Sequence, residues 1–127
     1  MTLVDAALDA RKNACCEYSG FHVGAALEDA AGRVHTGCNI ENASYGLTVC
    51  AERVALWKAL SEGMREFRRI AIASDSEDLA TPCGACRQLL WEFCGDIEIT
   101  LASPGGKGET LQLSSLLPRP FGDRYFR

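Results

Sequence analysis

The sequence predicts an α/β fold of three layers, with helices on both faces of a five-stranded mixed sheet. Three observations predict it. Helical and strand periodicities follow one another in the order α-β-β-α-β-α-β-β. The run from Ile70 to Ser74 is almost wholly apolar, as in a central strand covered on both sides. Pro104-Gly105-Gly106-Lys107-Gly108, after the fourth strand, is too short for a parallel crossover, so the fifth strand must return antiparallel.

Each element has its own warrant. Thr2 and Asp5 form a variant of the capping box, and Val4, Ala7, Leu8, Ala14 and Cys15 share a helical face, which predicts a helix over 3–16. Tyr18-Ser19-Gly20 ends it. Val23, Ala25 and Leu27 alternate through a strand over 21–28. Asp29-Ala30-Ala31-Gly32 turns the chain into a returning strand over 33–38. A polar loop, 39–46, leads to a helix over 48–62 with Val49, Val54, Leu56, Trp57 and Leu60 apolar and Gly63 as its stop. After the central strand, 75–81 is a loop. A helix then runs from Pro82 through Phe93 and is ended by Gly95. Ile97, Ile99 and Leu101 mark the fourth strand and Thr110 to Leu113 the fifth. Ser114 to Leu117 forms one helical turn that Pro118 halts. With no repeat and no linker, residues 1–127 read as a single domain.

Composition narrows the function. A hydrophobic fraction of 47% and a charged fraction of 24% describe an ordinary globular protein, with no apolar run long enough to span a bilayer. Met1-Thr2-Leu3-Val4-Asp5 lacks the basic start and apolar stretch of a signal peptide, so a cytoplasmic location and no membrane partner are expected. A net charge of -4 is wrong for holding a polynucleotide, whose phosphates call for Lys and Arg; Arg65, Arg68 and Arg69 read as a solvated helix end. A small, weakly charged substrate suits this balance.

Seven cysteines, an odd number with one adjacent pair, do not make a disulfide framework. Cys15, Cys38 and Cys94 read as small buried hydrophobes. Cys50, Cys83 and Cys86 differ, because they stand where a loop becomes a helix N-terminus, and there unpaired N–H groups and the helix dipole stabilise thiolates. Cys83 and Cys86 are three apart and can face one point. Together the three thiols can fill three positions of a tetrahedral zinc and leave the fourth open, as catalytic sites do. Glu52, two residues after Cys50, points elsewhere around the first turn and is placed to move protons. Three thiolates leave Zn²⁺ with net negative charge, which Arg53 and Arg87 could offset by donating hydrogen bonds to the sulfurs.

The segments Tyr18-Ser19-Gly20-Phe21-His22-Val23-Gly24-Ala25-Ala26-Leu27, Gly37 through Gly46, Cys50-Ala51-Glu52-Arg53, Pro82-Cys83-Gly84-Ala85-Cys86-Arg87-Gln88 and Leu116-Leu117-Pro118 with Phe121 closely resemble the cytidine deaminase family in its small, homotetrameric, three-cysteine form. The resemblance implies one zinc per chain on Cys50, Cys83 and Cys86, with Glu52 as proton shuttle. It also implies that Asn39 and Glu41 hold the ribose 3′-hydroxyl, that Phe21 packs against the pyrimidine, and that Ala51 lies in the substrate site. Ala43 and Tyr45 would approach the 5′ end from a neighbouring subunit, and Phe121 would close a neighbour's pocket. Hydrolysis at C4 of cytosine, with Glu52 taking the water's proton, delivering it to N3 and later protonating the departing amine, is the implied reaction. Glu17, where Pro is common, Trp57, and the tail Asp123-Arg124-Tyr125-Phe126-Arg127 depart from the family's pattern.

Rival readings explain less. A structural zinc would need a fourth protein ligand, and the two histidines, His22 and His35, are expected on the exposed face of the first hairpin. A redox Cys83-Gly84-Ala85-Cys86 pair ignores Cys50 and Glu52, and plain buried thiols explain neither spacing nor carboxylate. Within the deaminases, acidic charge and the Asn39/Glu41 pair oppose a polynucleotide editor.

Overall fold

A computed structural model describes residues 1–126. The elements are α1 (Leu3–Arg11), β1 (Val23–Asp29), β2 (Val34–Cys38), α2 (Ala51–Ser61), β3 (Phe67–Ser74), α3 (Gly84–Cys94), β4 (Glu98–Ala102), β5 (Gly108–Gln112) and the short α4 (Leu113–Leu116). Single 3-10 turns at Tyr45–Leu47 and Asp123–Tyr125 complete them. The sheet order is β2-β1-β3-β4-β5, with β3 and β4 parallel and every other pair antiparallel. This is the expected mixed sheet, and β5 returns antiparallel as the short turn requires.

Side-chain alternation sorts the sheet into two unlike faces. Ala25, Leu27, Ile70, Ile72, Ile99 and Leu101 lie on one face, packed with Ala55, Leu56 and Ala59 of α2 and Leu90 of α3. Ala26, Ala71, Ala73 and Ala102 lie on the other, under Ala7 of α1. Register makes this inevitable: Ala25 pairs with Ile72 and Ile72 with Leu101, while Ala26 pairs with Ala71. Two glycines let the helices lie close. A β-carbon on Gly24 would run into the Ala7 carbonyl, and one on Gly37 into α2.

Several boundaries differ from expectation for identifiable reasons. The capping box at Thr2 and Asp5 forms, but α1 stops at Arg11. Cys15 then pairs with Ile40 in an isolated bridge, with Cys15 N donating to Asn39 O and Glu41 N to Cys15 O. A tertiary contact therefore takes 13–16 out of the helix. Arg65 does donate to the Leu60 carbonyl at the end of α2, whereas Arg68 and Arg69 lie on β3, where Arg69 bridges Glu28 and Glu98. Gly63 and Gly95 end their helices at φ +94° and +69°.

The cysteine and histidine expectations need correction as well. Cys15 is exposed, Cys38 and Cys94 are half-buried, and Cys16 is the buried one of its pair. His35 is buried at 8% exposure, with Nε2 3.0 Å from Asp29 Oδ2. His22 stands before β1 rather than on it, with Nδ1 2.8 Å from Asp75 Oδ2. Of the apolar residues on α2, Leu60 packs against the core whereas Trp57 is exposed, beside a groove formed by Ile40, Val49 and Val54. The 3-10 turn in the tail stacks Tyr125 on Phe121; Arg127 lies outside the described residues.

Candidate active site and metal centre

Cys50 and Cys83 occupy the same structural position, the N-cap of α2 and of α3. Both have extended backbone (φ -73°, ψ 153° and φ -65°, ψ 167°), and neither side chain caps its helix. Their sulfurs are thus not engaged in capping. Cys86 is the third residue of α3, and N-cap and N3 side chains converge by the same geometry that makes a capping box. The three Sγ atoms all lie within 4.8 Å of one another, the one such cluster among the described residues. A tetrahedral zinc with Zn–S bonds of ~2.3 Å would space them by roughly 3.8 Å, so the donor set fits one zinc per chain with small adjustments.

The electrostatics suit a cation. The Cys50 thiol is pushed down to about 5, first by a hydrogen bond from Cys86 and then by Arg53. Cys86 is pushed far up by the same bond and by burial. A divalent metal bound to these sulfurs would displace their thiol protons. Arg53 places Nη2 3.8 Å from Cys50 Sγ, and its guanidinium is held protonated by the thiols, Cys86 foremost. Arg53 therefore sits where sequence reasoning puts it.

Arg87 does not. Its Nε donates to Pro82 O at 2.7 Å, Nη1 to Leu116 O at 2.9 Å and Nη2 to Thr81 Oγ1 at 2.9 Å. It fixes the loop leading into Cys83 and ties it to α4, and these bonds do not go to the sulfurs. Spacing along α3 cannot reveal this, because both carbonyl partners come from outside the helix.

Glu52, second in α2, is 5% exposed. Burial raises its carboxyl to about 7, and the Cys50 charge adds to the rise. A group poised there exchanges protons readily in both directions at neutral pH.

A cavity of about 250 Å³ opens onto this centre. It is lined by Cys50, Ala51, Glu52 and Cys83, by Phe21 and Asn39, and by Val23, Thr48, Val49, Ile72, Ala80 and Thr81. The last six were not foreseen. Thr48 and Val49 directly precede Cys50, and Ala80 and Thr81 precede Cys83 with Pro82 between, so these four could have been found from their position; nothing local marks Val23 or Ile72. Asn39 is buried and holds the Phe21 segment: Nδ2 donates to Phe21 O and Oδ1 accepts from Val23 N.

Sharing Thr48 with this cavity is a second, of about 280 Å³, lined also by Tyr18, Ser19, Glu41 and Tyr45. Glu41 Oε1 accepts from the Tyr18 and Ser19 amides and Oε2 from Ser19 Oγ, and these bonds, the hydroxyl first, hold its carboxyl below its usual range. Ala43 and Tyr45 are exposed, Tyr45 at 74%, and neither lines the metal-side cavity of its own chain. Phe121 is 61% exposed and likewise outside it, gripped through its carbonyl by Gln88 Nε2.

Comparison with known proteins identifies relatives of the whole fold. The model of the cytidine and deoxycytidylate deaminase zinc-binding region matches residues 1–101. A cytidine deaminase of Halalkalibacterium halodurans is 48% identical over 120 residues, 94% of this chain and 91% of that one. One from Sporosarcina psychrophila is 46% identical over 113 residues, 88% and 83% of the two chains. The crystal structure of cytidine deaminase from Burkholderia pseudomallei superposes with a TM-score of 0.90 at 44% identity, covering 95% of this chain and all of that one. The chain belongs to the cytidine and deoxycytidylate deaminase zinc-binding family.

Proposed function

We propose that this protein hydrolytically deaminates cytidine and 2′-deoxycytidine to uridine and 2′-deoxyuridine, releasing ammonia for pyrimidine salvage. The observation that carries the reading is the meeting of Cys50, Cys83 and buried Glu52 with Phe21 and Asn39 on one cavity. Residues 1–127 act as one catalytic domain, in the cytoplasm and as a homotetramer.

Cys50, Cys83 and Cys86 would hold zinc, which would supply the Lewis acidity that lowers the pKa of water. Arg53 tempers the negative charge of the sulfurs. Phe21 faces the pyrimidine, with Ala51 beside it. Glu52, its carboxyl near 7, takes one proton from water and delivers it to N3, then takes the second from the hydroxyl now on C4 and gives it to the amine as the C4–N bond breaks. The water oxygen becomes O4 of the product, so atoms and charge balance.

The adjoining cavity suits the sugar. Glu41, which lines it, is an anion that accepts from a hydroxyl, and Asn39, on the metal-side cavity, keeps one amide hydrogen beyond the bond to Phe21. Neither cavity is lined by Lys or Arg among the described residues, which favours an uncharged nucleoside over a nucleotide or polynucleotide. Phe121, exposed and lining neither cavity of its own chain, closes a neighbour's pocket in the tetramer, while Tyr45, which edges its own chain's second cavity, approaches a neighbour's 5′ end together with Ala43.

The test follows the loss of cytidine absorbance with purified protein, before and after chelation and zinc return. Deamination that disappears and returns with the metal is expected. Inactivity on cytidine and deoxycytidine by the zinc-loaded protein, or efficient action on an oligonucleotide, overturns the reading.

A further inference from the structure

Phe21 is carried by a segment with no regular structure of its own. Residues 18–22 lie between α1 and β1, yet Phe21 forms a wall of the metal-side cavity. An aromatic on a free loop would be a poor wall, so its hydrogen bonds matter. Phe21 N donates to Ser19 Oγ and Phe21 O accepts from Asn39. Glu41 and the Cys16 carbonyl hold Tyr18, Ser19 and Gly20, and on the other side of Phe21 the restraints come from Asp75, the first residue after β3.

Asp75 extends the β1–β3 pairing one step beyond Val23 and Ser74. Its amide donates to His22 O at 3.2 Å, while the return bond is made by its side chain, with His22 N donating to Oδ2 at 2.9 Å. The same Oδ2 lies 2.8 Å from His22 Nδ1. Oδ1 receives Arg11 Nη1 at 2.6 Å from the last residue of α1. Arg11 Nε is buried without a hydrogen-bond partner, so that guanidinium is drawn in by Asp75 at a desolvation cost. Burial raises the Asp75 carboxyl, but the bonds from His22 and Arg11 outweigh it and hold the group below its usual range.

We propose that Asp75 is a positioning residue for the deamination, clamping the His22 backbone and ring so that Phe21 is set against the pyrimidine, with Arg11 of α1 bracing the clamp from the opposite face of the sheet. The inference rests on the nucleoside reading of the cavity. Asp75 lines neither cavity and touches no substrate; it acts through His22 on Phe21. A one-residue lever of this kind affects binding because misplacement of a contact surface by about an ångström can cost orders of magnitude in rate.

Steady-state kinetics of zinc-loaded Asp75→Ala, Asp75→Asn and His22→Ala test it. Asp75→Ala should raise KM for cytidine about ten-fold with kcat much less changed, and Asp75→Asn, which keeps an acceptor for His22 N, should recover most of that loss. His22→Ala, on a half-exposed side chain, keeps the backbone bond and should raise KM about three-fold. A purely structural role would lower melting temperature and active fraction at unchanged KM. Unchanged KM in His22→Ala and in whichever Asp75 variants fold would overturn the proposal, even if Asp75→Ala does not fold. An inactive wild type would instead overturn the nucleoside reading.

Discussion

Gly37 of β2 lies so close beneath Ala51 that a β-carbon there would stand 2.6 Å from the Ala51 carbonyl oxygen. The Ala55 amide nitrogen is equally near. The N-terminus of α2, which bears Cys50, Ala51 and Glu52, therefore rests directly on the backbone of a strand.

Gly37→Ala should lift that end of α2 from the sheet. Overpacking of this kind costs about 1–3 kcal/mol, readable in urea unfolding. Because Cys50 moves with α2 while Cys83 and Cys86 stay on α3, zinc content of the purified variant should fall alongside stability.

Glu52→Gln keeps the shape of the buried side chain and removes its proton exchange. With zinc retained, kcat should fall by about 10²–10⁴-fold. Metal analysis and turnover on the same sample check both halves of the statement.

Asp29 supplies an acid-dependent part of stability. The bond to His35, aided by the Arg33 and Ala31 amides, holds its carboxyl below its usual value despite burial. Its contribution is thus complete above the unfolded pKa of about 3.9 and is lost as pH falls through the lower folded value. Asp29→Asn should be less stable than wild type at neutral pH and converge with it in acid. Urea midpoints followed from about pH 7 to about pH 2 would show the narrowing gap.

Phe121→Ala should raise KM for cytidine about ten-fold while zinc content and secondary structure stay intact, since the ring is exposed on its own chain. Sedimentation of the wild type should give a homotetramer whose dissociation removes activity. A fully active monomer would contradict the shared site.

What sequence could reveal follows the range of the interactions involved. Cys50, Glu52, Cys83 and Cys86 are legible because first-turn geometry is local: N-cap and N3 converge whatever surrounds them. The sheet is legible because the strands of Leu27 and Ile99 alternate, the strand from Ile70 is almost wholly apolar, and the turn at Pro104–Gly108 leaves one choice of direction. Arg87 is not, because its acceptors on Pro82 and Leu116 are set by the docking of α3 against its surroundings. His35 is polar and lies on an edge strand, so it reads as exposed until Asp29, itself buried, is seen folded back upon it. The early end of α1 is likewise imposed from afar, by Ile40.

The inequality of the two sheet faces has a dynamic consequence. Large aliphatic side chains bind α2 and α3 to the sheet, whereas α1 meets chiefly alanines, which bury little apolar area per residue. Local opening is therefore cheapest at α1, and its amide hydrogens should exchange with solvent well before those of β3 and β4. The metal-bearing layer belongs to the slow-exchanging part of the molecule. The helix that braces Asp75 belongs to the fast one, so breathing on one side of the sheet reaches the substrate wall on the other.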